Sequence, residues 1–161
     1  MEKGAWAGFG ACVPDNFIGG GLAESVTHDG VTLTRTDKEL TADDYTITGD
    51  LLTIKTPGKY TLSGTASSND FRVKVGDRLV TTLTIDNLTI NTYRDEKENE
   101  AKQGYSPLDF SDAGATTLIL VGKNHLTARA QNPAVFAPKV EKDDDLAVQL
   151  TIGGEGSLVA T

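Results

Sequence analysis

From Val31 onward the chain alternates apolar and polar residues. VTLT places Val31 and Leu33 on one face, and YTIT does the same with Tyr45 and Ile47. FRVKV places Phe71, Val73 and Val75 together, with Arg72 and Lys74 pointing the other way. A period of two is that of a strand with one buried face. The alternation then recurs in longer phrases: LLTIKTPGKYTLSG (Leu51–Gly64), TLTIDNLTINT (Thr82–Thr92), TLILVGKNHLTARA (Thr117–Ala130) and QLTIGGEGSLVAT (Gln149–Thr161). Each reads as a strand, a polar or glycine turn, and a second strand. Aligned by their first leucines (Leu52, Leu83, Leu118 and Leu150), these four copies are spaced by 31, 35 and 32 residues. At the spacing of 32, Leu118, Leu120, Gly122 and Asn124 match Leu150, Ile152, Gly154 and Gly156.

Units of this size cannot bury their own apolar faces and do so by stacking, with like residues lined up in a shared core. The pattern predicts an all-β protein: a parallel β-helix, or solenoid, of about four coils, each copy forming one coil. A β-sandwich is the alternative, since short strands at regular turn spacing also read that way. Antiparallel pairing is open where turns are short, as in GKYT and GEGS. The organisation expected is a glycine-rich N-terminal arm over residues 1–30 and a repeat domain over 31–161. A strongly charged insertion over 93–105 interrupts the repeats. The closing phrase LTIGGEGSLVAT reads as an edge still open to pairing, so something is expected to cover it: further sequence, a second copy, or the N-terminal arm of a neighbour.

Composition sharpens this picture. The 161 residues suffice for one domain with a core, and 38% apolar with 24% charged content argues against global disorder. Thr, Val, Ile and Leu are plentiful, which favours strands. The formal net charge of -8 makes nucleic acid a poor partner and would repel an acidic polysaccharide unless a cation bridged the two. No apolar run is long enough for a transmembrane helix. Cys12 is the only cysteine, which excludes an intrachain disulfide, and FGAC (Phe9–Cys12) only faintly resembles a lipoprotein cleavage site. No export signal is visible, so the expectation is an intracellular protein or a piece of a longer one.

Catalytic patterns are missing from the sequence. His28 and His125 are far apart and read as surface residues, and no nucleophile elbow, phosphate loop, zinc spacing or EF-hand loop is present. The expectation is therefore a protein that is not an enzyme. Asp143, Asp144 and Asp145, in EKDDDL, are the candidate metal ligands, because hard oxygens at a turn suit Ca2+. Against this, successive strand residues alternate faces, so the three reach one ion only if the backbone bends. ADDY (Ala42–Tyr45) is a weaker second candidate. Tyr93 and Tyr105 bracket the charged insertion and are candidates to stack on sugar, with Trp6 of the arm as a third ligand-binding candidate. Threonines 32, 34, 82, 84 and 89 face away from the apolar set. Flat threonine arrays can bind ice, but β-branched residues are also ordinary outward strand residues, and no strict Thr-x-Thr recurs at one place in every copy. Ice is not the expectation from sequence.

The phrases YTLSGT, VTTLTIDNLTINT, ATTLILVGKNHLTA, PAVFAP and KDDDLAVQLTIGGEGSLVAT together resemble the repeats of bacterial carbohydrate-binding β-helix domains found in large, repetitive surface adhesins. The resemblance covers about Asp50 to Thr161, with Pro133–Pro138 and Lys142–Ile152 in the family's order. It implies a right-handed parallel β-helix, an extracellular or cell-surface location, polysaccharide binding, and bound calcium in some members. It maps no individual ligand residue onto this chain. The N-terminal 30 residues have no counterpart in the pattern, which in the family continues with further copies. Two functional classes follow: a non-catalytic carbohydrate-binding or adhesin module, and a structural subunit that self-assembles head-to-tail through its open end and its N-terminal arm.

Overall fold

The computed structural model describes residues 24–93, 105–128, 132–137 and 149–161. Among them the chain is all-β, with mostly parallel strands in two mixed sheets. The first sheet holds β1 (Ser25–His28), β2 (Val31–Arg35), β5 (Gly58–Thr65), β7 (Thr81–Asn91), β9 (Ala115–Val121), β10 (Lys123–Thr127), β12 (Gln149–Gly154) and β13 (Ser157–Ala160). The second holds β3 (Tyr45–Thr48), β4 (Leu51–Ile54), β6 (Arg72–Val75), β8 (Leu108–Asp109) and β11 (Val135–Phe136).

From β4 onward the chain visits the two sheets in turn, and each new strand lies parallel to the one it follows in the same sheet. In the second sheet β4, β6, β8 and β11 stack in that order, with Leu52 beside Val73, Val73 beside Leu108, and Leu108 beside Val135. In the first sheet Tyr60 lies beside Leu83, Leu83 beside Leu118 and Leu118 beside Ile152. The apolar ladders of both sheets face one core. Leu33, Leu52, Ile54, Leu62, Phe71, Leu83, Ile85 and Phe110 are fully buried there. The inward set of FRVKV (Phe71, Val73, Val75) is buried as alternation predicts, and Tyr45 and Ile47 of YTIT are half-buried against the same core.

Antiparallel pairing is confined to the N-terminal side. β1 and β2 form a hairpin whose two-residue turn is Asp29-Gly30, both at positive φ (53° and 85°), as a type I′ turn requires. Ser25–His28, read from sequence as part of the arm, is thus a strand of the first sheet. β2 pairs antiparallel with β5, and β3 with β4, so each sheet begins with antiparallel strands. Backbones approach closely here. A Cβ on Gly64 would lie 2.2 Å from the Gly30 carbonyl oxygen, so no larger residue fits.

The four sequence copies are not equivalent, which corrects the expectation of one coil per copy. LLTIKTPGKYTLSG turns a corner from β4 in one sheet to β5 in the other, whereas TLTIDNLTINT is the single strand β7. The glycine turns of the last two copies are not hairpins either. β9 and β10 both lie along β7, and β12 and β13 continue along β9 and β10, so GEGS is a kink within one row of the sheet. The register is corrected too. Leu118 pairs with Ile152 and Leu126 with Ala160, an offset of 34 rather than 32. A slip of two keeps every inward residue inward, so the apolar pattern alone does not detect it.

Arg35 takes an inward position on β2, opposite Tyr60, and is only 3% exposed. Its Nη1 donates to Asp44 Oδ1 at 2.6 Å and to Thr56 Oγ1 at 2.9 Å, its Nε to Asp37 Oδ1 at 2.8 Å, and its Nη2 to the Pro57 carbonyl at 2.8 Å. The guanidinium carbon lies 5.1 Å from the centre of the Tyr60 ring. Asp44, itself buried, also accepts from Thr41 N and Thr56 Oγ1. This network joins β2, the 36–44 loop and the β4–β5 corner. It also removes Asp44 from the ADDY metal candidate, since both its carboxylate oxygens are committed to protein donors.

Candidate functional site

Three neighbouring segments meet at one corner of the stack: residues 66–71 between β5 and β6, residues 92 and 93 after β7, and residues 105–107 before β8. The side chain of Thr92 is buried and donates to the carbonyl of Tyr105, while its backbone N donates to the Thr127 carbonyl at 2.8 Å. One threonine therefore ties the two ends of the charged insertion together and fixes them to the end of β10. The backbones of Tyr93 and Tyr105, 12 residues apart in the chain, come together at this point.

The polar groups around them are held by short local bonds. Asn69 Nδ2 donates to the carbonyls of Asn91 and Tyr93, each at 3.2 Å, and Asn91 Oδ1 accepts from Tyr93 N at 2.8 Å. Ser68 Oγ accepts from Asp70 N and donates to Asp50 Oδ2 at 3.2 Å. Arg72 points outward from β6, as alternation requires, and its Nη1 donates to the Asp70 carbonyl at 3.2 Å. Its guanidinium lies over the Tyr105 ring, 3.6 Å from the centroid, a close cation–π contact. One strand position further, Lys74 pairs with Asp112 at 2.7 Å; the hydrogen bond to Asp112 raises the lysine pKa and keeps the ammonium charged.

Together these form a ledge on the surface of the stack. It carries one exposed ring (Tyr93, 48% exposed), a second ring already covered on one face by Arg72, an anchored amide (Asn69), and two cations. Aromatic faces beside amides and charged forks suit a ligand that is apolar on its ring faces and hydroxylated on its edges.

Of the residues chosen from sequence, Tyr93 and Tyr105 share this corner, though not as a pair of free rings, because Tyr105 stacks on Arg72. Trp6 and Asp143, Asp144 and Asp145 lie outside the described residues. Among the described residues no group of three or more His, Cys, Asp or Glu is placed to hold a metal ion. His125 is exposed on the outer face of β10, and His28 donates through Nε2 to the Gly49 carbonyl at 2.9 Å. Sequence reasoning missed Asn69, which sits in a loop with no periodic signal. It marked Arg72 only as outward-facing. No helix among the described residues is long and apolar enough to cross a membrane.

No family model, curated protein or solved structure matches the chain.

Proposed function

We propose that this protein is a non-catalytic carbohydrate-binding or adhesin module, built on a parallel β-helix and acting at the bacterial cell surface. The observation that carries the reading is the ledge at the insertion corner, where Tyr93, the Arg72–Tyr105 stack and Asn69 converge. The β-helix reading is supported by the chain's alternation between two sheets with parallel neighbours; a sandwich of antiparallel sheets lacks the parallel neighbours. The non-catalytic reading is supported by the deepest ionisable cluster, Arg35 with Asp37 and Asp44, whose groups spend their hydrogen bonds on one another. The ligand is a polysaccharide. Its recognition combines ring stacking on Tyr93 with hydrogen bonds from the Arg72 and Asn69 neighbourhood. Calcium, held by Asp143, Asp144 and Asp145, would serve to bridge acidic sugars to a chain of net charge -8.

A glycan array followed by calorimetry, with and without chelator, tests this. Tyr93→Ala is expected to weaken binding by about tenfold, corresponding to roughly 1.4 kcal/mol. Arg72→Ala should weaken it as well, by removing the guanidinium's hydrogen-bond donors from the ledge. Absence of binding to any glycan, or full binding by both variants, would overturn the reading.

A second reading, self-assembly, is favoured by a different observation. Ile152 lies in register with the fully buried Leu118 yet is 52% exposed, and among the described residues β12 and β13 each pair on one side only. An edge whose two strands carry no charged residue, with Glu155 only at the kink between them, favours pairing with another chain. Light scattering should then give oligomers that Ile152→Lys converts to monomers. A monomeric wild type removes this reading and leaves the first untouched.

A further inference from the structure

The observed register aligns threonines that the sequence alignment separated. On the outer face of the first sheet, Thr34 of β2 lies beside Thr61 of β5, and Thr61 beside Thr84 of β7. The adjoining row runs from Thr82 to Thr117 to Thr151, across β7, β9 and β12. Beyond the kink Thr65 lies beside Thr89. At the offset of 32 read from sequence, Thr117 would meet Gln149; the observed pairing brings it to Thr151 instead.

The rows make a partial grid: they overlap on β7, and the first continues past Thr84 to Ile119 and Gly153. Neighbouring strands lie about 4.8 Å apart, and alternate residues along a strand about 6.7 Å apart. Each threonine presents a hydroxyl and a methyl, and its β-branched χ1 is restricted, so both groups are held in place. Charge lies around the grid: Lys59 begins the row that continues with Thr82, and Asp86 stands in the row of Ser63 and Val121. No Phe, Tyr or Trp points outward from β2, β5, β7, β9 or β12.

A face on which threonines recur from strand to strand has no focus for a single small molecule. It fits a surface that itself repeats. Two common solids do so, crystalline polysaccharide and ice, and the lack of aromatic rings on this face favours the second, because sugar faces are gripped by stacking. We infer that the threonine face of the first sheet binds the surface of ice crystals. The hydroxyls fix a first layer of water at the spacing of the strands, and the methyls between them deny that water competing partners. The layer is ordered before ice meets it and joins the crystal with little further loss of entropy. The face is distinct from the Tyr93 ledge and stands or falls separately.

The test uses the full chain, frozen slowly onto an ice ball, together with microscopy of single ice crystals just below the melting point. Wild type should be retained in the ice and should shape or arrest the crystals. Thr84→Lys with Thr117→Lys should be excluded from ice, while Thr46→Lys, on β3 of the other sheet, should be retained. Should the double lysine variant unfold, Thr84→Ser with Thr117→Ser keeps the hydroxyls, removes the methyls and should lose most of the retention with its circular dichroism spectrum intact. Exclusion of the wild type from ice overturns the inference. So does retention of both folded double variants. Adsorption to crystalline cellulose or chitin that depends on Thr84 and Thr117, without retention in ice, would assign the face to polysaccharide instead.

Discussion

Replacing Asp44 with alanine is expected to lower the stability of the domain by about 3 kcal/mol, at the low end of what breaking a buried ion pair costs. The carboxylate is the fully buried partner of Arg35, with side chains 3% and 4% exposed. Removing it takes the anionic partner from the buried guanidinium, whose Nη1 keeps only the neutral Thr56 hydroxyl, and leaves the Thr41 backbone N without its acceptor. Arg35 keeps Asp37 and the Pro57 carbonyl, which holds the loss at the lower end of the range. Urea unfolding followed by circular dichroism measures the change as a fall in midpoint at constant slope. Replacing both partners together, Arg35→Met with Asp44→Leu, should cost less than Asp44→Ala alone, because no charge is then left buried. Equal midpoints for wild type and Asp44→Ala would refute the assignment.

The same network sets the response to acid. The hydrogen bond from Arg35 lowers the Asp37 pKa to about 2. For Asp44, burial pushes the pKa up, but hydrogen bonds from Thr56 and Thr41 and the Arg35 charge outweigh it, and the net direction is down. Carboxylates depressed in the fold add stability that is fully present above their unfolded value. That stability is lost as pH falls through the folded value. The domain should therefore hold its midpoint from neutrality down to about pH 4 and lose it between there and about pH 2. In Asp44→Ala that slope should be shallower.

Much of the architecture was legible in the alternation of apolar residues, because period two leaves only one way to bury Val31 and Leu33 or Val73 and Val75. What the pattern could not supply was register and sheet membership. A slip of two residues moves Leu118 from Ile152 to Leu150 and keeps every residue on its face, and it takes Thr151 away from Thr117. Nor does alternation tell a corner from a kink. Lys55–Pro57 carries the chain from one sheet to the other, while Gly122 carries it straight on, and both read as polar turns. Arg35 stood in an inward position and was invisible as a core residue, since its burial depends on Asp44 and Thr56 from distant stretches. The ledge was half legible. Tyr93 and Tyr105 were marked by the charge run between them, but their meeting with Asn69 and Arg72 depends on how the parallel strands pair.

The kink itself carries the second large effect. Left-handed residues recur along it from strand to strand: Gly64 in β5 (φ 106°), Asn87 in β7 (φ 51°), Gly122 between β9 and β10 (φ 65°) and Gly154 in β12 (φ 100°). Parallel strands that kink lose ladder hydrogen bonds at the bend, and two asparagines restore them. Asn87 Oδ1 accepts from Lys123 N at 3.1 Å. Asn124, only 2% exposed, does more. Its Oδ1 accepts from Leu88 N of β7 at 2.8 Å, and its Nδ2 donates to the carbonyls of Val121 at 3.0 Å and Ser157 at 3.1 Å. One side chain thus serves three strands. Asn124→Ala should cost about 3 kcal/mol, since it leaves a buried N–H and two carbonyls without partners, each worth roughly 1–3 kcal/mol when only part of that cost is recovered by water. Asn124→Asp separates the contributions. The carboxylate still accepts from Leu88 N but turns both donors into acceptors facing carbonyl oxygens. It should be less stable than Asn124→Ala near neutrality. Because protonation restores one donor, its deficit relative to wild type at the same pH should shrink as pH falls toward about 4. A deficit for Asn124→Asp that is independent of pH would show that the Nδ2 bonds to Val121 and Ser157 contribute nothing. An unchanged urea midpoint in Asn124→Ala would show that the kink holds without its bridge.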